Sequence, residues 1–212
     1  MTKLEEVAAA VEKGKVKIVA GLTQEALDAG FSAGQILNEG MIGAMAVVGE
    51  KFKNNEIFVP EMLVSARAMK KGVDVLKPHL ASGAAGANGK VIIGTVAGDL
   101  HDIGKNLVAM MVESAGFEVI DLGVDVSKEK FVETYEANPD TKLILLSALL
   151  TTTMPAMKET AELINASPWR SMFKIMVGGA PITQDFANEI GADAYTEDAA
   201  SCAQKARELV GA

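Results

Sequence analysis

Apolar residues recur at helical spacing through the first 80 residues of the chain, and no run there resembles a buried strand. LEEVAAAVEKG predicts a helix that ends at Gly14, and KVKIVAGLTQEALDAG predicts a second that ends at Gly30. A third helix is predicted in ILNEGMIGAMAVVGEKF. Pro60 opens a fourth, EMLVSARAMKKGVDVL, because proline fits the first helical turn. Short loops between four such helices favour an antiparallel bundle over residues 1–80.

The pattern changes after ASGAAGANG, residues 81–89, whose small residues are typical of a linker. Beyond it, five apolar segments typical of strands alternate with five amphipathic segments that have helical periodicity. Strands that are apolar on both faces indicate a parallel sheet covered by helices. We therefore predict an α/β domain over residues 90–212, flavodoxin-like (Rossmann-like), with a five-stranded parallel sheet. The predicted strands are KVIIGTVAG, FEVIDLG, KLILLSAL, FKIMVGG and ADAYT.

Composition and charge narrow the range of partners. Hydrophobic residues make up 49% of the 212 residues and aromatic residues only 5%, so the core must rest on aliphatic side chains and the 11 methionines. Met41, Met45, Met62 and Met69 suggest an adaptable apolar surface, but we predict that most of them pack in that core. The net charge of −8 argues against binding to nucleic acid, which favours a basic face, and to anionic membrane surfaces.

The number of cysteines and the character of residues 1–14 indicate the cellular compartment in which the protein is expected. Cys202 is the single cysteine, so no internal disulfide forms, and we expect it at a buried or half-buried helical position in an intracellular protein. MTKLEEVAAAVEKG is acidic and amphipathic, unlike a signal peptide. No apolar run approaches the ~20 residues of a membrane span. These features predict a soluble, cytoplasmic protein without a membrane partner.

The segment GDLHDIGKN, residues 98–106, joins the first predicted strand to the following helix. Doubly wound sheets bind ligands beyond the carboxyl ends of their strands, so this turn is a candidate site. The spacing of Gly98 and Gly104 does not match a Walker A loop, a G-x-G-x-x-G fingerprint is absent, and Asp99 and Asp102 repel phosphate. ADAYTEDA lacks the lysine expected after the fifth strand of a phosphoacceptor domain. Phosphate binding is therefore the weaker interpretation.

The spacing Asp99-x-His101-x-x-Gly104 fits a metal-ligand turn better. A neutral imidazole binds a metal through one nitrogen while its other N–H donates to an acceptor, for which Asp99 is the natural candidate. Gly104 lets the chain turn tightly or lets a bulky ligand approach the backbone. One histidine is too few for a bare zinc ion, so the metal is expected to arrive in a macrocycle with an axial position free. His79, the other histidine, is expected at a helix end.

Two further motifs follow at the carboxyl ends of later predicted strands, Ser147-x-Leu149 and the double glycine Gly178-Gly179. Together with D-x-H-x-x-G, and in this order, they resemble the cobalamin-binding domain of methionine synthase. The chain is more similar still to the methyltransferase-cognate corrinoid proteins of methanogens and acetogens. EKFKNNEIFVPEMLVSARAMK resembles the helical cap of that family, so the resemblance covers nearly the whole chain.

The resemblance implies a role for each motif residue. His101 is the expected lower axial ligand of cobalt in cobalamin, displacing the dimethylbenzimidazole tail in the base-off/His-on state. Asp99 is expected to hydrogen-bond His101, and the hydroxyl of Thr153 to complete that relay, while the TTT segment also caps the next helix. The other residues expected at the cofactor are Gly98, Leu100, Asp102, Ile103, Gly104, Ser147, Leu149, Thr151, Gly178 and Gly179, with Phe52 and Val59 as the cap over its upper face.

The resemblance also implies the function of a methyl carrier. Such a protein accepts a methyl group on Co(I) from a substrate:corrinoid methyltransferase. It passes the group as methyl-Co(III) to a methylcorrinoid:acceptor methyltransferase that uses tetrahydrofolate or coenzyme M, and a reductive activase is a further expected partner. A catalytic barrel needs roughly 250 residues, so the chain is expected to be a carrier subunit rather than a free-standing catalyst.

Three alternatives stay open at this point. A cobalamin-dependent sensor shares both domains, although a transcriptional version usually adds a basic DNA-binding segment that the sequence lacks. A mutase subunit is disfavoured by the helical cap, and a receiver or flavin-binding domain is the remaining alternative. The methyl donor is open among methylamines, betaines, methanol and aryl methyl ethers, because its recognition belongs to the partner.

Overall fold

The computed structural model of the protein describes residues 2–79 and 88–211. Their contacts divide the chain into two compact units, one built on residues 2–79 with 113–116 and the other on residues 88–112 with 117–211. Most of the linker predicted over residues 81–89 lies outside the described residues. Within the described ranges, no helix combines the length and the apolarity needed to cross a membrane.

The first unit contains the four predicted helical segments. The third of them is not uniformly α-helical, because a π-helical stretch lies between two α-helical parts, and the hydrophobic periodicity does not reveal this. The α-helices are α1 Lys3–Glu12, α2 Val19–Asp28, α3 Ala33–Gln35, α4 Gly43–Lys53 and α5 Val59–Leu76, with π-helix Ile36–Ile42 joining α3 to α4 and a 3-10 turn Lys77–His79 after α5. His79 therefore ends a helical segment, as predicted.

Local capping sets where these helices begin. The Thr2 hydroxyl accepts from the Glu5 N–H at 3.2 Å, and the Glu5 carboxylate accepts from the Thr2 N–H at 2.8 Å, which satisfies two N–H groups at the start of α1. Pro60 lies in the first turn of α5, as predicted. The methionines predicted to form the core are all buried: Met41, Met45, Met62 and Met69.

The second unit is a five-stranded parallel sheet with helices, which confirms the predicted fold class. The strand order is β2-β1-β3-β4-β5, and every pair of neighbouring strands runs parallel. The strands are β1 Lys90–Thr95, β2 Glu118–Asp121, β3 Thr141–Ser147, β4 Lys174–Gly178 and β5 Ala194–Tyr195. The helices are α6 Ile103–Ser114, α7 Lys128–Ala137, α8 Met154–Asn165, α9 Gln184–Glu189 and α10 Ala199–Val210.

Burial explains why the strands are apolar on both faces. Ile92, Ile144 and Ile175, from β1, β3 and β4, are buried in one core cluster together with Phe131 of α7 and Met157 of α8. Burial of these side chains supplies the main favourable free energy for folding the unit. Cys202 is also buried, in α10 as predicted, and burial raises the pKa of its thiol to about 12, so the thiol stays protonated and unreactive.

The strand order positions the candidate site. The chain leaves β1 toward β2 on one side, and β3 then pairs with β1 on its other side. The loops that follow β1 and β3 therefore meet at the point where the strand order reverses, which is where doubly wound sheets bind ligands. These two loops carry the D-x-H-x-x-G and S-x-L motifs.

Candidate functional site

The turn after β1 separates a buried acid from exposed neighbours. Gly98 has a φ of +80°, a left-handed conformation that glycine adopts without a steric penalty, and here the chain leaves the direction of β1. Asp99 follows it with 0% of its surface exposed. Leu100, His101 and Asp102 are all exposed. The turn thus buries one carboxylate and presents the next residues outward.

The Asp99 carboxylate is the centre of a hydrogen-bonded network. Its Oδ1 accepts from the His101 backbone N–H at 3.1 Å and lies 2.7 Å from the His101 Nδ1. Its Oδ2 accepts from the Leu149 N–H at 2.7 Å and from the Thr153 hydroxyl at 2.8 Å. One buried side chain therefore joins the turn after β1 to the loop after β3.

These bonds determine the charge of Asp99. Burial acts to raise the pKa of the carboxyl group, but donors from Leu149, His101 and Thr153 outweigh it and lower the pKa below its ordinary value of 3.8. An ionised carboxylate only accepts hydrogen bonds, so the proton of the neutral His101 ring is assigned to Nδ1. This tautomer leaves the lone pair of Nε2 free.

The surroundings of His101 fit a metal that brings most of its own ligands. The His101 side chain is 49% exposed, and two large apolar neighbours are more exposed still, Leu100 at 72% and Ile103 at 82%. The described residues contain no group of three or more histidine, cysteine, aspartate or glutamate side chains able to hold a bare ion. One available imidazole nitrogen among exposed aliphatic side chains suits a large, mainly apolar macrocycle with one axial position open.

Thr153 does not act as the predicted helix cap. It lies at the N-cap position of α8, after a 3-10 turn over Thr151–Thr153, but its side chain makes no capping bond. The hydroxyl is buried and lies 2.8 Å from the Asp99 Oδ2 and 2.9 Å from the Leu150 carbonyl oxygen. The capping prediction is therefore wrong for Thr153, because its hydroxyl is directed to the Asp99 carboxylate and the Leu150 carbonyl and accepts from no backbone N–H of α8.

Replacing Thr153 with valine is expected to lower the free energy of unfolding by about 1 kcal/mol, because the buried Asp99 carboxylate loses one donor at constant side-chain shape. Thr153→Ser keeps the hydroxyl and is expected to lose less. Urea unfolding of the cofactor-free protein measures both, with the exposed Thr152→Val as the matched control. Equal stability of Thr153→Val and Thr152→Val would show that the hydroxyl contributes nothing.

The double glycine lies where the loops after β3 and β4 touch. Ser147 pairs in register with Gly178, and the Ala148 N–H donates to the Gly178 carbonyl at 3.2 Å. Gly179 has a φ of +131°, and a Cβ there would overlap the Ala148 carbonyl oxygen. The packing of the protein's own backbone therefore requires glycine at 179. Passage of a nucleotide tail beside it stays a prediction.

The other loop residues are placed as follows. Ser147 is half-buried, whereas Leu149 and Thr151 are exposed. Gly104 lies in the first turn of α6 without a positive φ, so of its two predicted roles the tight turn is not observed. A Cβ at Gly104 would meet nothing within 4 Å, so the backbone there is open to a close approach. Asp102 accepts from the Asn106 side-chain amide at 3.1 Å.

The side chain of Lys105 is buried in an ion pair and is therefore not available to a ligand. It is 3% exposed, and its Nζ lies 2.6 and 2.7 Å from the two carboxylate oxygens of Asp121, at the end of β2. Because α6 begins at Ile103, Lys105 lies inside the first helical turn. The ion pair attaches that turn to the sheet, so a contact of Lys105 with a cofactor phosphate is not expected.

Phe52 and Val59, the predicted cap residues, lie at opposite ends of one connection in the first unit. Phe52 is near the end of α4 and half-buried, and Val59 begins α5 and is 38% exposed. Phe58 beside it is 63% exposed. Two apolar side chains are therefore exposed where α5 begins, and the role of Phe52 and Val59 toward a cofactor stays a prediction.

Two residues that the sequence reasoning missed also hold the turn. The Thr95 hydroxyl donates to the His101 carbonyl at 2.9 Å, and the Asp125 carboxylate accepts from the Gly98 N–H at 2.7 Å. Thr95 ends β1, and Asp125 follows β2 in GVDVS. Polar residues just beyond adjacent parallel strands were the signal that could have identified them.

Comparison with known proteins finds B12-binding relatives that match both units of the chain. A B12 binding domain model matches residues 89–203, and a second B12 binding domain model matches residues 3–77. Dimethylamine corrinoid protein 1 of Methanosarcina acetivorans is 41% identical over 210 residues, 98% of this chain and 92% of that protein. Trimethylamine corrinoid protein 1 of the same organism is 41% identical over 197 residues, 92% of this chain and 90% of that protein.

Among solved structures, that of the methanol:cobalamin methyltransferase complex from Methanosarcina barkeri contains a similar chain. It is 28% identical, with a TM-score of 0.85 over 99% of this chain and 80% of that chain. The likeness therefore extends through both the helical and the α/β parts of the sequence.

Proposed function

Because the chain belongs to the family of B12-binding corrinoid proteins, we propose that it carries methyl groups between two methyltransferases. The observation that supports this most is the outward-facing imidazole of His101, oriented by the buried carboxylate of Asp99 at the switch point of the sheet. A bound corrinoid supplies the cobalt centre that accepts and releases the methyl group.

The residues of the turn have distinct proposed tasks. The Nε2 of His101 would hold the cobalt of the corrinoid in a base-off/His-on state, and Asp99 fixes the tautomer and the direction of the ring. Thr153 holds Asp99 in turn. Two groups of residues would hold the other parts of the cofactor. The displaced nucleotide tail would lie against Ser147, Leu149, Thr151, Gly178 and Gly179, and the macrocycle against Gly98, Leu100, Asp102, Ile103 and Gly104.

We also propose a separate role for each segment of the chain. Residues 1–80 form the cap, residues 81–89 the linker, and residues 90–212 the corrinoid-binding domain. The apolar side chains of Phe52 and Val59 would cover the methyl-bearing face of a bound corrinoid and exclude water from it. A cap of this kind must move aside for each partner, as lids do in many enzymes.

The partners follow from the carrier role. One methyltransferase loads the methyl group from its substrate, a second delivers it to tetrahydrofolate or coenzyme M, and a reductive activase restores the cofactor. The chain is equally identical, at 41%, to a dimethylamine and a trimethylamine corrinoid protein, so similarity does not select the amine. We place these reactions in the cytoplasm, where the single Cys202 stays reduced.

Reconstitution with hydroxocobalamin tests the carrier role. After reduction of the bound cobalt to Co(I) with titanium(III) citrate, the loaded protein is expected to support methyl transfer from mono-, di- or trimethylamine to coenzyme M or tetrahydrofolate when the cognate methyltransferases are added. Methanol, betaine and an aryl methyl ether serve as alternative donors. Failure to take up the corrinoid at all, with correctly folded protein, would reject the proposal.

Replacing His101 with alanine is expected to weaken hydroxocobalamin binding by roughly 10-fold or more, because the cobalt loses its protein ligand. His79→Ala is the matched control, since His79 ends a short 3-10 turn and is given no part in binding. Spectrophotometric titration measures both affinities. Unchanged affinity and an unchanged absorption spectrum in His101→Ala would contradict the ligand assignment.

A further inference from the structure

Asp125 holds the turn that carries His101 from the neighbouring strand. Its carboxylate accepts from the Gly98 N–H at 2.7 Å, and its own N–H donates to the Asp99 carbonyl oxygen at 2.9 Å. The first bond holds the N–H of Gly98, the residue before Asp99, and the second holds the carbonyl group of Asp99 itself. The backbone on both sides of that side chain is thereby fixed by one residue.

The backbone around Asp125 is itself firmly placed. Residues 122–126 continue beside β1, with the Leu122 N–H donating to the Ile93 carbonyl at 2.8 Å and the Val126 N–H to the Thr95 carbonyl at 2.9 Å. Between these bonds Asp125 adopts a φ of +53°, a left-handed conformation that is uncommon outside glycine and that aspartate and asparagine tolerate best. Such a conformation persists only where the surroundings require it.

We propose that Asp125 is a positioning residue for the axial ligand, an inference that rests on the proposed function. The Asp99 carboxylate can orient the His101 ring only if the backbone of Gly98 and Asp99 keeps one conformation, and Asp125 fixes that conformation. Asp125 holds the backbone of Gly98 and Asp99 in place. This backbone positions the Asp99 carboxylate, which in turn orients the ring of His101.

Two substitutions separate the side chain from the backbone conformation. Asp125→Gly keeps the left-handed conformation at no steric cost but removes the acceptor for the Gly98 N–H. Asp125→Asn keeps both a tolerated left-handed conformation and a carbonyl oxygen that can accept. A difference between the variants therefore reports on the acceptor and not on backbone strain.

The probe is Co(II) cobinamide, which lacks the nucleotide base, so nitrogen splitting in its electron paramagnetic resonance spectrum must come from a protein ligand. Asp125→Gly is expected to bind roughly 10-fold more weakly than the unsubstituted protein, the low end of the range for partners that orient a ligand. At saturating cobinamide it is also expected to show a smaller nitrogen-split fraction. Asp125→Asn is expected to restore both properties.

The outcomes distinguish this inference from the function on which it rests. Nitrogen splitting and affinity in Asp125→Gly equal to those of the unsubstituted protein would overturn the positioning role, even if the variant melted at a lower temperature. An Asp125→Asn variant as impaired as Asp125→Gly would overturn it too, since the acceptor is retained. Absence of splitting in the unsubstituted protein would instead reject His101 as the ligand.

Discussion

Replacing Gly179 with alanine is expected to destabilise the cofactor-free protein by about 3 kcal/mol or more. The φ of Gly179 is +131°, which L-residues rarely adopt, and the added Cβ would overlap the Ala148 carbonyl oxygen. That oxygen belongs to backbone and cannot swing away as a side chain can. Relief requires the loops after β3 and β4 to separate, which breaks the bond from the Ala148 N–H to the Gly178 carbonyl.

The neighbouring glycine is a matched control. At Gly178 the φ is not left-handed, and a Cβ would lie 3.5 Å from the Thr196 carbonyl oxygen, an ordinary contact. Gly178→Ala is therefore expected to cost no more than about 1 kcal/mol. Urea unfolding followed by circular dichroism measures both variants. If the two cost the same, the close approach of the loops does not determine the choice of glycine at 179.

Replacing Asp99 with alanine is expected to have the second large effect, about 3 kcal/mol of lost unfolding free energy, because several donors lose a charged and buried acceptor. The N–H groups of His101 and Leu149 and the hydroxyl of Thr153 are the donors affected. Asp102→Ala is the matched control, since Asp102 is exposed and accepts from Asn106 alone in the described contacts. A loss in Asp99→Ala no larger than in Asp102→Ala would contradict the central role of this carboxylate.

The contribution of Asp99 is expected to depend on pH with a definite sign. Its pKa is lower in the folded protein than its ordinary value of 3.8, so the unfolded chain binds a proton more readily than the folded one. The stabilisation is therefore complete well above pH 3.8 and is lost as the pH falls below it. The stability difference between the unsubstituted protein and Asp99→Ala should shrink in acid, and a constant difference would show that Asp99 is not ionised in the fold.

The sequence predicted most of the fold because its signals are local. Strand-like runs such as KVIIGTVA and the helical spacing around Pro60 each depend on a few neighbouring residues. The burial of Lys105 in α6 does not follow from its neighbours in the sequence, because it depends on Asp121 at the end of β2. The π-helical stretch Ile36–Ile42 likewise leaves no mark in the periodicity.

In the candidate site, too, the local contacts can be predicted from the sequence and the long-range contacts cannot. The pairing of Asp99 with His101 spans two residues and can be inferred from the motif, since both lie in one turn. The contacts of Asp125 and Thr153 with that turn span 27 and 54 residues, so they exist only once β1, β2 and β3 are adjacent. The packing requirement at Gly179 is equally non-local, because the atom that excludes a Cβ belongs to the loop after β3.

The proposed function depends above all on a nitrogen of His101 as the protein ligand of cobalt. The most direct measurement is the electron paramagnetic resonance spectrum of Co(II) cobalamin bound to protein made with 15N-labelled histidine and with natural histidine. With His101 as the axial ligand, the nitrogen splitting changes from a triplet to a doublet on labelling, and His79→Ala leaves this change intact. A triplet that persists in the labelled protein would mean that the unlabelled benzimidazole of the cofactor still holds the axial position, and would contradict the account.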